Sequence, residues 1–194
     1  MNEPSDRLLY DRLASPIGEV LILADEQGRL RALDFGDFEH RLEALLHRRI
    51  GRRLDSVTPV KDPFGLTSAI AAYFAGDIAV IDALPVEAPG TAFQRKIWTA
   101  LREIPAATTW SYGRLAAHIG HPTAVRAAGA ANGANAVAIV VPCHRVIGAN
   151  GTLTGYAGGV ERKRWLLAHE AAHVSRNITA TPSKQSRVPT IAPS

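Results

Sequence analysis

The spacing of apolar residues changes character along the chain. In the first third they run continuously or alternate with polar ones: Leu8-Leu9-Tyr10, then Gly18-Glu19-Val20-Leu21-Ile22-Leu23-Ala24, then Leu30-Arg31-Ala32-Leu33-Asp34-Phe35. This pattern predicts strands, and the turn Asp25-Glu26-Gln27-Gly28 predicts that they form an antiparallel meander. Helical spacing follows over residues 38–46, where His40 and His47 belong to a solvated face, and again over 66–74, a helix ended near Gly76. Two prolines and a glycine in Leu84-Pro85-Val86-Glu87-Ala88-Pro89-Gly90 then interrupt any period and mark a boundary.

Beyond the boundary the period is helical. Thr91 is a suitable cap for a helix over 92–104, with Phe93, Ile97, Trp98 and Leu101 on one face. Pro105 and Thr108-Thr109 break it. Ser111 caps a second helix over 112–119 that stops at Gly120, and a third starts at Thr123 and runs through Arg126-Ala127-Ala128-Gly129-Ala130-Ala131. Two short helices around a glycine-containing turn form a helix-turn-helix pattern. The apolar run Val137-Ala138-Ile139-Val140-Val141 reads as the strand that carries Pro142-Cys143-His144-Arg145, and residues 162–170 read as a last helix. The final stretch, 175–194, is rich in Ser, Thr and Pro and is expected to stay without structure.

Composition narrows the chemistry. The chain has 194 residues and a single cysteine, which excludes an intramolecular disulfide and a multi-cysteine zinc site and suits a reducing compartment. No apolar run is long enough to span a bilayer, and the first residues lack a signal-peptide pattern, so a cytoplasmic protein is expected. The net charge of +4 is unevenly divided. Residues 1–91 hold 10 Lys/Arg against 15 Asp/Glu, 92–174 hold 9 against 3, and 175–194 hold 3 against 0. A basic second half suits a polyanionic partner, although such a split also arises by chance.

Taken alone, the residues leave the central questions open. Cys143 is either a buried packing residue or a nucleophile, and the adjacent His144 and Arg145 favour the latter. A histidine base needs an acceptor to fix its tautomer, and the carboxylates of the second half are Glu103, Glu161 and Glu170. From the residues alone, Glu170 reads as an ordinary surface carboxylate. The third helix is unusual for a DNA reader, being nearly all alanine and glycine with Arg126 as its one long polar side chain. Small residues such as Ala127 and Gly129 permit close backbone approach to a minor groove, and they equally permit tight packing against a neighbouring helix. The loop Leu153-Thr154-Gly155-Tyr156-Ala157-Gly158-Gly159 either presents backbone N–H groups to a substrate oxygen or forms a plain hairpin.

The segments PCHRVIGANGTLTGYAGGVERKRWLLAHE (142–170), GTAFQRKIWTALREIP (90–105), SYGRLAAHIG (111–120) and RAAGAANGAN (126–135) closely resemble the O6-alkylguanine-DNA alkyltransferases. The resemblance covers about residues 85–172. It implies an α+β protein: an N-terminal antiparallel sheet with helices, ribonuclease-H-like, over 1–84, and a linker at 85–91. A mostly helical, winged helix-turn-helix-like catalytic domain over 92–174 would follow, ahead of the basic tail that composition marks over 175–194. It implies stoichiometric, self-inactivating transfer of an alkyl group from O6-methylguanine, and O4-methylthymine, in duplex DNA.

The same resemblance assigns residue roles. Cys143 is the acceptor, His144 its base through a water, and Glu170 the carboxylate that holds His144. Asn135 supports the active-site turn, and Tyr112 contacts the flipped base. Arg126 fills the vacated stack, while Ala127 and Gly129 lie along the same DNA-binding helix. Val146, Tyr156 and Ala157 line the base pocket. No cofactor and no metal are implied, and the partner is alkylated duplex DNA approached through the minor groove by a monomer, with copies able to cluster. The chain departs from many relatives at Ala136, where a proline is usual, and at Ala157, where a serine is common. Three other readings compete: a lesion-binding protein of this scaffold without the cysteine, a winged-helix regulator, and a cysteine hydrolase. Cys143 opposes the first, the Pro-Cys-His-Arg-Val motif is unexplained by the second, and the third would turn over repeatedly.

Overall fold

The computed structural model describes residues 7–51 and 53–179. Strands β1 (Leu8–Ser15), β2 (Gly18–Asp25) and β3 (Leu30–Phe35) form the antiparallel meander. A further strand, β4 (Thr58–Pro59), pairs with β1 in parallel, giving a mixed sheet of order β3-β2-β1-β4. Two residues, one of them proline, are too short for alternation to reveal. From Val20 to Ala24 strand β2 is buried at every position, and so its sequence there is continuously apolar.

One face of the sheet packs Leu21, Leu23 and Ala32 against Leu42 and Leu46 of α1 (Glu39–Ile50). The other face carries Val20, Ile22, Leu33 and Phe35 into a cluster with α2 (Leu66–Ala75) that continues to Trp98, Leu101, Val146 and Leu166. Sheet and helices therefore share one core. Helix α3 (Ala92–Arg102) begins at a capping box. Thr91 Oγ1 accepts from the Gln94 N–H at 3.2 Å, and the Thr91 N–H donates to Gln94 Oε1 at 2.9 Å. It ends earlier than expected, because the N–H groups of Glu103 and Ile104 turn to carbonyls three residues back ahead of Pro105.

Ser111 caps α4 (Tyr112–His118), accepting from the Arg114 N–H at 3.1 Å. Helix α5 (Val125–Gly133) starts two residues later than its sequence suggests, since a turn from His121 O to the Ala124 N–H takes up Pro122 and Thr123. Helix α6 (Val160–Thr179) includes the first five positions of the stretch expected to lack structure. The remainder of that expectation, 180–194, lies outside the described residues.

The expected strand over 137–141 is instead a compact turn. The Val141 N–H bonds Val137 O at 2.9 Å, and Ile139 holds a left-handed φ of 70°. A β-branched residue rarely adopts that conformation, which persists only where its surroundings enforce it. The run is apolar because it is buried, and burial alone does not distinguish a turn from a strand. Its entrance is pinned to the edge of β3: the Leu33 N–H donates to Ala136 O at 2.8 Å and the Ala138 N–H to Leu33 O at 2.9 Å. The segment 85–87 pairs with Leu30 on the same edge. A short parallel pair, β5 (Trp110–Ser111) with β6 (Val146–Ile147), sets the start of α4 beside the residues that follow Cys143.

Candidate active site

Cys143, His144 and Arg145 form a single turn of 3-10 helix directly after Pro142. Three residues per turn send successive side chains in divergent directions. The Cys143 thiol faces a cavity of about 20 Å³ shared with Asn135, Asn132, Tyr156, Ala157, Asp34 and Arg41. That is room for about one water molecule. His144 and Arg145 turn instead to Glu170 on α6.

Asn135 organises the cysteine side. Its Nδ2 donates to Cys143 Sγ at 3.1 Å and to Val141 O at 2.8 Å, while its Oδ1 accepts from the Val137 N–H at 3.0 Å. One amide thus closes the turn containing the strained Ile139 and supplies a donor to the sulfur. Burial pushes the Cys143 thiol up, and the Asn135 donor and the nearby Lys163 charge act against that push. Lys163 is itself buried, which lowers its pKa, and its Nζ donates to Val146 O at 2.6 Å and Thr154 O at 2.9 Å. It thereby ties β6 to the loop that carries Tyr156.

Glu170 has no solvent exposure. His144 Nε2 bonds its Oε1 at 2.8 Å, and Arg145 donates to the carboxylate through Nε (3.0 and 3.2 Å) and a terminal guanidinium nitrogen (2.8 Å). The Tyr73 hydroxyl donates at 3.0 Å and the Ala107 N–H at 3.3 Å. Burial alone would raise this carboxyl. His144 and Arg145 overcome it and hold Glu170 well below the usual carboxylate range. Burial also lowers the His144 pKa, against the pull of Glu170. The consistent state is an ionised Glu170 paired with Arg145 and a neutral His144 whose Nε2–H donates to the carboxylate. That leaves the Nδ1 lone pair, which is buried and has no hydrogen-bond partner among the described residues, as the basic position.

This arrangement has a consequence for acid stability. Glu170 is depressed from its ordinary 4.5, so its contribution is full above that value and is lost as pH falls through the lower folded one. His144 is depressed from 6.5, so the unfolded chain takes up its proton first and stability declines below 6.5. Denaturant midpoints measured at stepped pH are expected to fall from near 6.5 downward and more steeply below 4.5. Midpoints that stay level through both values would contradict the assignment.

The remaining expected positions divide between the pocket and the outer surface. Tyr156 and Ala157 line the cavity. Val146 is buried in β6, and its carbonyl already accepts from Lys163. Tyr112 starts α4, with its ring within van der Waals reach of the place a Cβ would take at Gly129. On α5, Val125, Arg126, Ala127 and Ala130 are exposed, whereas Ala128, Ala131 and Asn132 are buried. Arg126 makes no ion pair among the described residues. The buried side of this helix packs against its neighbours, and its exposed side is a strip of small residues around one arginine.

Four side chains around the cysteine and its carboxylate were not singled out from the sequence, Lys163, Tyr73, Asp34 and Arg41, and Arg145 was marked only as a neighbour of Cys143. Arg145 had a signal, a charge inside an apolar segment beside the cysteine. Tyr73 is 97 positions from Glu170, and Arg41, which bonds Ala157 O and pairs with Asp34, is 116 positions from Ala157. Such separations leave no local pattern to read.

Two family models match the chain. The ribonuclease-like domain of 6-O-methylguanine DNA methyltransferase matches residues 8–88, and the DNA-binding domain of the same family matches residues 92–172. Among curated relatives, the methylated-DNA–protein-cysteine methyltransferase of Salmonella typhimurium is 54% identical over 84% of this chain and 96% of the relative. That of Methanosarcina acetivorans is 42% identical over 85% and 99%. The crystal structure of Mycobacterium tuberculosis O6-methylguanine methyltransferase superposes with a TM-score of 0.69 at 37% identity, covering 91% of this chain and 96% of that one. The structure of the Mycobacterium tuberculosis OGT in complex with DNA gives 0.69 at 39% identity, covering 85% and 94%. With a reactive-type cysteine, its histidine–carboxylate pair and these likenesses together, the chain belongs to the methylated-DNA–protein-cysteine methyltransferase family.

Proposed function

We propose that this protein repairs DNA by moving the alkyl group of O6-methylguanine, and of O4-methylthymine, onto Cys143 Sγ, once per molecule. The observation that carries this reading is the thiol held by Asn135 in a cavity, next in the chain to a buried His144–Glu170 pair with a free Nδ1. His144 Nδ1 takes the thiol proton through one water, and Glu170 stabilises the imidazolium that results. The sulfur lone pair forms the S–CH3 bond as the C–O6 bond breaks, and the guanine anion takes up a proton to leave as guanine. The thioether has no good leaving group, and the protein is spent.

The substrate base is larger than the cavity, so it must displace the loop that carries Tyr156 and Ala157. Lys163 ties that loop to β6, and Arg41 ties Ala157 to Asp34. Base entry then requires the Arg41 contact to yield. Flipping the nucleotide costs a few kcal/mol of lost stacking and pairing. Arg126, on the exposed strip of α5, offsets part of it by occupying the gap, with Ala127 and Gly129 admitting the backbone to the minor groove. Tyr112 at the start of α4 meets the displaced base. The protein acts as a monomer, with several copies able to bind adjacent sites on one duplex. No helix among the described residues is long and apolar enough to cross a membrane. A lone thiol that must stay reduced fits the cytoplasm.

The test compares two substrates. Arg126→Ala is expected to slow repair of an O6-methylguanine duplex by about tenfold to a hundredfold, the worth of a few kcal/mol of flipping energy. Reaction of the same variant with free O6-benzylguanine, which needs no flipping, is expected to match the parent. Equal losses on both substrates would remove Arg126 from this role.

A further inference from the structure

Tyr73 lies in the last turn of α2, in the sheet-bearing half, yet its hydroxyl reaches the carboxylate on α6 that holds His144. The side chain has no solvent exposure. It is located twice over, because His169 Nε2 donates to the Tyr73 carbonyl at 2.8 Å and the Tyr73 ring meets the His169 ring edge-on at 5.3 Å. One turn on, Gly76 ends α2 with φ of 111°, and any Cβ there would strike the His173 ring. Helix α2 is thus docked on α6 at consecutive turns, and the hydroxyl is aimed by that docking.

Its target is specific. Tyr73 Oη donates to Glu170 Oε1, the same oxygen that takes the His144 Nε2–H. Burial and the Glu170 charge push the phenol pKa up, so it stays a donor. The other groups facing this pair are Arg145 from the 3-10 turn, the Ala107 N–H from the loop before β5, and Lys163 from α6. Ala107 adopts a left-handed φ of 60° as it donates, so the carboxylate is fixed from several elements at once.

We propose that Tyr73 is a positioning residue for alkyl transfer, setting through its hydrogen bond to Glu170 Oε1 how strongly that oxygen holds His144. Each donor on Oε1 draws charge from it and weakens its hold on the imidazolium. Removing the hydroxyl leaves Oε1 to His144 and Arg145, so its charge bears more strongly on both. His144 then protonates at higher pH, and the carboxylate loses one of its aiming contacts.

This inference rests on the reading that Cys143 accepts the alkyl group with His144 as base. The experiment measures the rate of Cys143 alkylation by O6-benzylguanine between about pH 5 and pH 9 for the parent, Tyr73→Phe and His169→Phe, each full-length. Circular dichroism and melting curves verify folding. Tyr73→Phe keeps the ring and is expected to react about threefold to tenfold more slowly at neutral pH. Its acid limb should move upward by about half a pH unit or more. His169→Phe loses the bond to the Tyr73 carbonyl but keeps the ring contact that aims the hydroxyl, and is expected to melt earlier with its acid limb in place.

A folded Tyr73→Phe whose limb coincides with the parent's would overturn the proposal. So would a His169→Phe that shifts the limb equally, which would make docking the cause. A parent that leaves an O6-methylguanine duplex unrepaired would overturn the alkyl-acceptor reading itself, a separate failure.

Discussion

Glu170→Gln is expected to cost both stability and chemistry. The glutamine is nearly isosteric, but it removes the negative charge bonded to buried Arg145 and replaces an acceptor oxygen with an NH2 donor. Breaking a buried ion pair from one side costs about 3–5 kcal/mol, mostly from the charge left behind. The amide also cannot serve both partners. If its NH2 faces His144, the Nε2–H must leave and the imidazole proton must move to Nδ1, the position whose lone pair is the base. If its NH2 faces Arg145, donor meets donor. A base held in the wrong tautomer loses about 10²–10⁴-fold in rate. Thermal melting and single-turnover alkylation measure the two effects. A variant with parental melting and parental rate would remove Glu170 from the site.

Cys143→Ser is expected to abolish transfer while sparing lesion binding. A serine hydroxyl fits the small cavity and still meets the Asn135 donor. Its proton is far less acidic than a thiol's, and oxygen is the poorer nucleophile toward a methyl carbon. The exposed face of α5 and Tyr112 are untouched, so retention of an O6-methylguanine duplex in a gel shift should match the parent's. Loss of binding along with transfer would mean that the substitution acts through folding. Retained transfer would mean that another residue accepts the methyl group.

The sequence revealed most where a local pattern has a local cause. The meander was legible because β2 and β3 bury apolar residues in strand-like patterns, and the caps at Thr91 and Ser111 because each side chain bonds an N–H three residues away. The turn over 137–141 was misread as a strand because burial makes both apolar; only the backbone shows the left-handed Ile139. The cysteine motif was visible as a charge pair following a thiol. Its carboxylate was not, and Glu170 looked like any helix residue until the family likeness of residues 142–170 singled it out. Tyr73, Asp34 and Arg41 escaped both routes, since the sheet-bearing half carries no chemical motif and its contribution depends on how α2 and α1 dock.

If Cys143 accepts one alkyl group and is then spent, each molecule that has acted carries one methyl on that sulfur. Intact-protein and peptide mass measurement after incubation with excess O6-methylguanine duplex tests it most directly. The predicted result is a protein heavier by one CH2, with the methyl on the peptide containing Cys143 and one lesion repaired per molecule. A protein of unchanged mass after repair, more lesions repaired than molecules present, or a methyl on any other residue would contradict it.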